Sequence, residues 1–156
     1  MPQLNKGGKY VFGWSIIGSN GQIVFPDKIL EEYNLTLGEN VILMSGSKRS
    51  GAFSLSSKKL LKNSSLSKIL KETPQLANYT IDEGSSVKYK GRFYCWLKLH
   101  ENKSIYLPQK TLDIYNIKEG DMLLSIRGSN IAFDFAIKGP LVERAKEHND
   151  IEIFIP

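Results

Sequence analysis

The chain repeats itself. Trp14 is matched by Trp96, Ile23 by Ile105, Pro26 by Pro108, Lys28 by Lys110 and Leu30 by Leu112, every pair standing 82 residues apart. The same offset carries Tyr33-Asn34 onto Tyr115-Asn116, Gly38 onto Gly120, Glu39 onto Asp121 and Gly46-Ser47 onto Gly128-Ser129. Beyond these the offset falls to 80 at Ala52-Phe53 and Ala132-Phe133, then to about 75 where Leu66 meets Leu141 and Lys71-Glu72 meets Lys146-Glu147, so the first copy has the longer loops. The two units run over 1–81, with a helical linker, and 82–156, with a C-terminal helix and strand. A domain of about 75 residues has only a marginal core of its own. The duplication therefore predicts two copies packed around one core, an internal imitation of a homodimer.

The rest of the composition narrows the class. With 41% apolar and 24% charged residues the chain is of globular type. No stretch approaches the roughly 18 apolar residues of a membrane span, and the first 20 residues lack the blocks of a signal peptide. Cys95, the single cysteine, excludes an internal disulfide and gives redox chemistry no support. The expected compartment is the cytoplasm. The net charge of +5 is uneven: residues 1–55 hold five Lys and Arg against four acids, whereas 87–110 hold six against Glu101 alone. Such a distribution invites a nucleic-acid partner.

Each unit reads as strand-rich with short helices. Aromatic and β-branched residues around Trp14 and Trp96 predict a first strand. Turn residues follow, then a short apolar strand (Ile23-Val24-Phe25; Ile105-Tyr106-Leu107) that runs into a proline suited to the first turn of a helix. That helix is predicted over 26–34 and 108–116, ending at an Asn able to adopt the left-handed conformation. A Gly-acidic loop leads to an apolar strand, a Gly-Ser turn and another strand. Ser64-Ser65 is placed to cap a helix that stops near Pro74, Pro140 to open another, and Ile151 to Ile155 to form a last strand.

The order strand, turn, apolar run into Pro, short helix, Gly-acidic loop and apolar strand resembles the AbrB/MazE/SpoVT swapped-hairpin family. The residues that carry it are Gly21 to Pro26 with Asn40 to Leu43, and Lys103 to Pro108 with Gly120 to Leu124. The resemblance implies a mainly β fold in which two units exchange hairpins to form a small pseudo-twofold β-barrel. It also implies DNA binding by basic residues near the first strands and the helix starts, as in bacterial and archaeal regulators and antitoxins. Where the family often has Arg after the first Gly, this chain has Gln22 and Ser104. Where it often has an Arg pair after the Pro, this chain has Leu30-Glu31 and Leu112-Asp113. Any phosphate contact must then come from other cations.

Those cations are Lys28 and Lys110, equivalent by the repeat, joined on the second copy by Arg92, Lys98 and Lys103 and on the first by Lys6 and Lys9. Lys48 and Arg49, in the first Gly-Ser turn, offer an added DNA contact. The competing reading is that these are solvated surface residues. Strand alternation puts Tyr10, Phe12, Trp14 and Ile16 on one face and Arg92, Tyr94, Trp96 and Lys98 on the equivalent one. Core is the favoured reading of these aromatics over base stacking. The Gly-Ser turns read as hairpin turns rather than as phosphate cradles, since no GxxxxGK[ST] or GxGxxG pattern occurs. His100 and His148 lie apart, and neither they nor Cys95 belong to a metal-spaced or nucleophile motif. A non-enzyme without cofactor or metal is expected, with duplex DNA as partner, acting as a transcriptional regulator. The alternatives are a protein- or ligand-binding module on the same scaffold, or an antitoxin.

Overall fold

The computed structural model describes residues 10–156. The first half contributes β1 (Val11–Ile16), β2 (Gln22–Val24), α1 (Asp27–Glu32), β3 (Asn40–Ser45) and β4 (Phe53–Ser56), followed by α2 (Lys58–Lys62), α3 (Lys68–Glu72) and α4 (Pro74–Ala77). The second contributes β5 (Val87–Tyr89), β6 (Arg92–Lys98), β7 (Ser104–Tyr106), α5 (Gln109–Ile114), β8 (Met122–Arg127), β9 (Phe133–Ala136), α6 (Pro140–Ala145) and β10 (Ile153–Phe154). Pro26 and Pro108 end the short apolar strands and open α1 and α5, and both helices stop where Asn34 (φ 50°) and Asn116 (φ 56°) turn left-handed. Ser57 caps α2, its hydroxyl accepting from Leu60 N at 3.2 Å, and the Ser64 hydroxyl accepts from Leu66 N at 3.1 Å in the turn that leads into α3.

The protein is mainly β, built on a large mixed sheet with short helices. The eight strands run in the order β10-β1-β8-β9-β4-β3-β6-β5, antiparallel except for the parallel pair β1–β10, and β2 and β7 form a separate two-stranded ribbon. Strands of the two halves are interleaved in this order. β1 pairs with β8 and β3 with β6, while β4 pairs with β9 through Ser54 opposite Asp134, and β2 with β7 through Ile23 opposite Ile105.

The expected closed barrel is not formed. The large sheet has two ends, β10 and β5, and β2 and β7 hydrogen-bond as a ladder only with each other. Both are three-residue strands cut off by a proline region, too short to carry a second ladder. Between β1 and β2 there remain Gly18 N to Gln22 O at 2.9 Å and Ser15 Oγ to Val24 O at 2.7 Å.

The main core draws on both halves. Phe25, Phe53, Phe133 and Phe135 are fully buried with ring centroids 5.2 to 5.8 Å apart, beside Tyr33 and Tyr115. Each such ring removed from water is worth about 1.5–3 kcal/mol before entropy is counted. On the opposite face of the sheet, Ile42, Met44 and Tyr94 receive Leu61, Ile69 and Leu76 from α2, α3 and α4. A third cluster joins Val11, Trp14, Leu124 and Ile126 to Val142 and Ala145 of α6.

The aromatic alternation expected for the first strand is broken. Val11 pairs with Ile126 but Gly13 with Ser125, so Phe12 is an extra residue at a bulge. Phe12 turns into the main core, Val11 and Trp14 face α6, and Tyr10 is exposed. In β6 the alternation holds: Tyr94 and Trp96 lie under α2–α4, Cys95 and Leu97 in the main core. The expected last strand shrinks to Ile153–Phe154.

Candidate nucleic-acid interface

The registers decide which turns become neighbours. β3 and β6 are antiparallel with Met44 opposite Tyr94, so the end of β3 lies beside the start of β6. The β3–β4 turn (46–52) and the β5–β6 turn (90–91) therefore project from the same end of the sheet. Ser45 joins them: its carbonyl accepts from Arg92 Nε at 3.2 Å and Nη2 at 2.8 Å, and its hydroxyl accepts from Phe93 N at 3.1 Å. The strand end at 137–138 is docked there too, Ile137 N and Lys138 N donating to Ser50 O at 2.9 and 3.3 Å.

Lys48, Arg49, Lys88, Lys90, Arg92 and Lys138 thus converge, and the segments 46–52, 87–93 and 137–140 contain no Asp or Glu. All but Arg92 are exposed. The cations are partly pre-positioned, with Lys88 Nζ 5.5 Å from the Phe93 ring centre and Lys90 Nζ 5.4 Å from that of Tyr89. Tyr89 is held in turn by a hydrogen bond from its hydroxyl to the Glu72 carboxylate of α3. That contact brings the linker helices, with Lys58, Lys59, Lys62, Lys68 and Lys71, alongside the same half of the sheet. Residues 47–98 hold eleven of the 21 Lys and Arg but three of the 16 acids, leaving the remainder of the chain acidic on balance.

The other sequence candidates are separated from this end. Lys28 is exposed and faces Glu31 at 3.8 Å, in a groove that also includes Glu32, Tyr10 and Arg127. Lys110 donates to Ser85 Oγ at 2.6 Å, and Lys103 forms a 2.7 Å ion pair with Asp27. Lys98 is exposed near Glu83, which accepts from its backbone N–H at 3.0 Å. Lys6 and Lys9 lie outside the described residues.

The repeat-equivalent turn is built differently. The β8–β9 turn carries Asn130 and Ile131 where the first has Lys48 and Arg49. It is tied down by Tyr33, whose hydroxyl donates to Ser129 O at 2.9 Å with Ala132 O at 3.1 Å. Arg127, beside it, binds Glu32 at 2.8 Å, and that hydrogen bond raises its pKa above the ordinary guanidinium value. Sequence reading missed Lys88 and Lys90 and the five linker lysines. Their density was visible in the chain, but not the end of the sheet on which Lys88 and Lys90 meet Lys48 and Arg49.

Among the described residues no group of three or more His, Cys, Asp or Glu is placed to hold a metal. None of their helices is long and apolar enough to cross a membrane. No protein-family model and no curated protein matches this chain. One similar solved structure is the solution structure of PHS018 from Pyrococcus horikoshii, at 14% identity and TM-score 0.37, covering 84% of this chain and 98% of that one. A likeness of that size sets neither the fold nor the function.

Proposed function

We propose that the chain is a duplex-DNA-binding regulator of the swapped-hairpin type that meets DNA with the basic end of its sheet. The observation that carries this is the convergence of six cations from three separate segments, beside which the acids Asp134 and Glu72 are held by Ser54 and Tyr89. Such a surface answers the phosphate backbone, whose neutralisation supplies most nonspecific affinity. The swapped-hairpin reading is supported by the pairing of β1 with β8 and of the repeat-equivalent β6 with β3, and by the antiparallel pairing of equivalent strands in β2–β7 and β4–β9. The binding surface is one-sided, because the repeat-equivalent end has Asn130, Arg127 and Glu32 in place of a cation cluster.

Fluorescence anisotropy with a mixed-sequence duplex tests it. Micromolar binding is expected at ~50 mM salt, weakening by about 10³-fold by ~200 mM if all six cations engage phosphates. Absence of binding at tens of micromolar protein in low salt overturns the proposal. An apolar groove of about 550 Å³ between Trp14, Met122, Val142 and Ile153 supports the rival binding-module reading, to which that result would point.

A further inference from the structure

The basic end is not a flat field of charge. One of its parts, the β5–β6 hairpin at the edge of the sheet, extends past the end of β3 as a two-stranded ribbon over residues 88–93, β6 being paired with β3 as well from Tyr94 onward. Its tip is a two-residue turn with positive φ at both positions, Lys90 at 48° and Gly91 at 83°, the tight type I′ geometry that suits the twist of paired strands. A Cβ added at Gly91 would meet nothing within 4 Å, so the tip stands clear of the rest of the molecule. One face of the ribbon is anchored: Tyr89 packs edge-on to Tyr94, with centroids 6.4 Å apart, and bonds Glu72 of α3. The other face presents Lys88, opposite Phe93 in the register and lying over its ring.

Resting on the DNA-binding reading above, we infer that the β5–β6 ribbon enters the major groove of duplex DNA while Lys48 and Arg49 of the adjoining turn hold the flanking phosphates. The major groove is about 12 Å wide and admits a two-stranded ribbon, whereas the minor groove, at about 6 Å, does not. Lysine at a base edge donates to guanine O6 and N7, and Lys88, on the open face of the ribbon, is placed to do so. The aromatic rings of the ribbon are occupied by its own lysines and by Tyr94, which leaves no open platform for stacking single-stranded bases.

The test is anisotropy titration of the full chain with a fluorescein-labelled duplex over a series of salt concentrations, alone and with the duplex pre-loaded with methyl green in the major groove or netropsin in the minor groove. Methyl green is expected to weaken binding at least tenfold and netropsin to leave it unchanged. K48Q/R49Q should lower the salt slope by about 2, whereas K88Q/K90Q should weaken binding at least tenfold, and K88R/K90R should restore it. If the wild type binds but netropsin alone competes, or K88Q/K90Q keeps the wild-type affinity with an unchanged melting temperature, the ribbon assignment is overturned and DNA binding stands. Tighter binding of a single strand than of the duplex overturns the groove assignment as well. No binding by the wild type removes both.

Discussion

Ile23 and Ile105, 82 residues apart in sequence, are direct cross-strand partners in the β2–β7 ribbon, and neither side chain has any exposure. Each fills the same place from the opposite half. Ile23→Ala and Ile105→Ala are therefore each expected to cost about 2–4 kcal/mol, with similar values for the two. Urea unfolding measures this. A single cooperative transition is expected in both variants, since the main core is shared and neither half keeps one of its own. Two separated transitions would show independent halves.

Gly21 and Lys103 occupy equivalent positions and both have positive φ, 70° and 61°. A Cβ at Gly21 would stand 2.1 Å from Leu107 O, a backbone atom that cannot step aside. Gly21→Ala should lose at least about 2 kcal/mol, the left-handed penalty of about 1 kcal/mol plus the clash. Lys103→Gly should be nearly neutral by the same measurement, because relief of the backbone offsets loss of the exposed Asp27 pair.

Tyr33 and Tyr115 are repeat equivalents with unequal hydrogen bonds. Tyr33 Oη reaches two carbonyls of the β8–β9 turn at 2.9 and 3.1 Å, while Tyr115 Oη lies 3.6 Å from Cys95 Sγ and 3.4 Å from Phe93 O. Tyr33→Phe is expected to cost about 1 kcal/mol and Tyr115→Phe less than half of that. Thermal denaturation of the two variants side by side decides whether the ordering holds.

Burial pushes the Cys95 thiol from 9.0 up to about 11 and raises the Tyr115 phenol as well. Both groups are held neutral in the fold, so the unfolded chain releases their protons first as pH rises. The Cys95 contribution is complete below about pH 9 and is lost between about pH 9 and 11, while that of Tyr115 begins to be lost only above about pH 10. Urea midpoints taken from pH 7 to 11 should fall over that interval, and fall less in Cys95→Ala once its own cavity cost is subtracted. At pH 8 the native thiol should resist alkylation and react on unfolding.

Lys28 is surrounded by Glu31 and Glu32, so Lys28→Gln removes little positive potential. DNA affinity at ~0.1 M salt should change by less than about twofold, against a loss of about tenfold or more for K48Q/R49Q. Equal effects of the two variants would return the binding surface to the helix starts.

Much of this protein is readable in its sequence because the forces concerned act locally or recur. Proline after a short apolar run opened a helix twice, and Asn34 and Asn116 ended those helices in the left-handed conformation, because these preferences belong to the residues themselves. The strand-rich class and the existence of a shared core follow from an apolar pattern written twice. The bulge at Phe12 did not follow, since it depends on Gly13 and Ser125 meeting across a strand from the other half. Nor did the open ends of the sheet, which result from β2 and β7 pairing with each other and with no third strand.

The charged surface divides the same way. Sequence by itself determined that Lys and Arg outnumber acids between residues 47 and 98, because charge is a property of composition. Only the tertiary structure decided that Lys48 and Arg49 stand beside Lys88, Lys90 and Arg92, whereas Lys28 stands beside Glu31 and Glu32 by their spacing within α1 alone. The register of β3 on β6 sets that arrangement, and register is chosen by which apolar side chains reach the core. The duplication thus wrote one scaffold twice, while long-range strand pairing made its two ends electrostatically different.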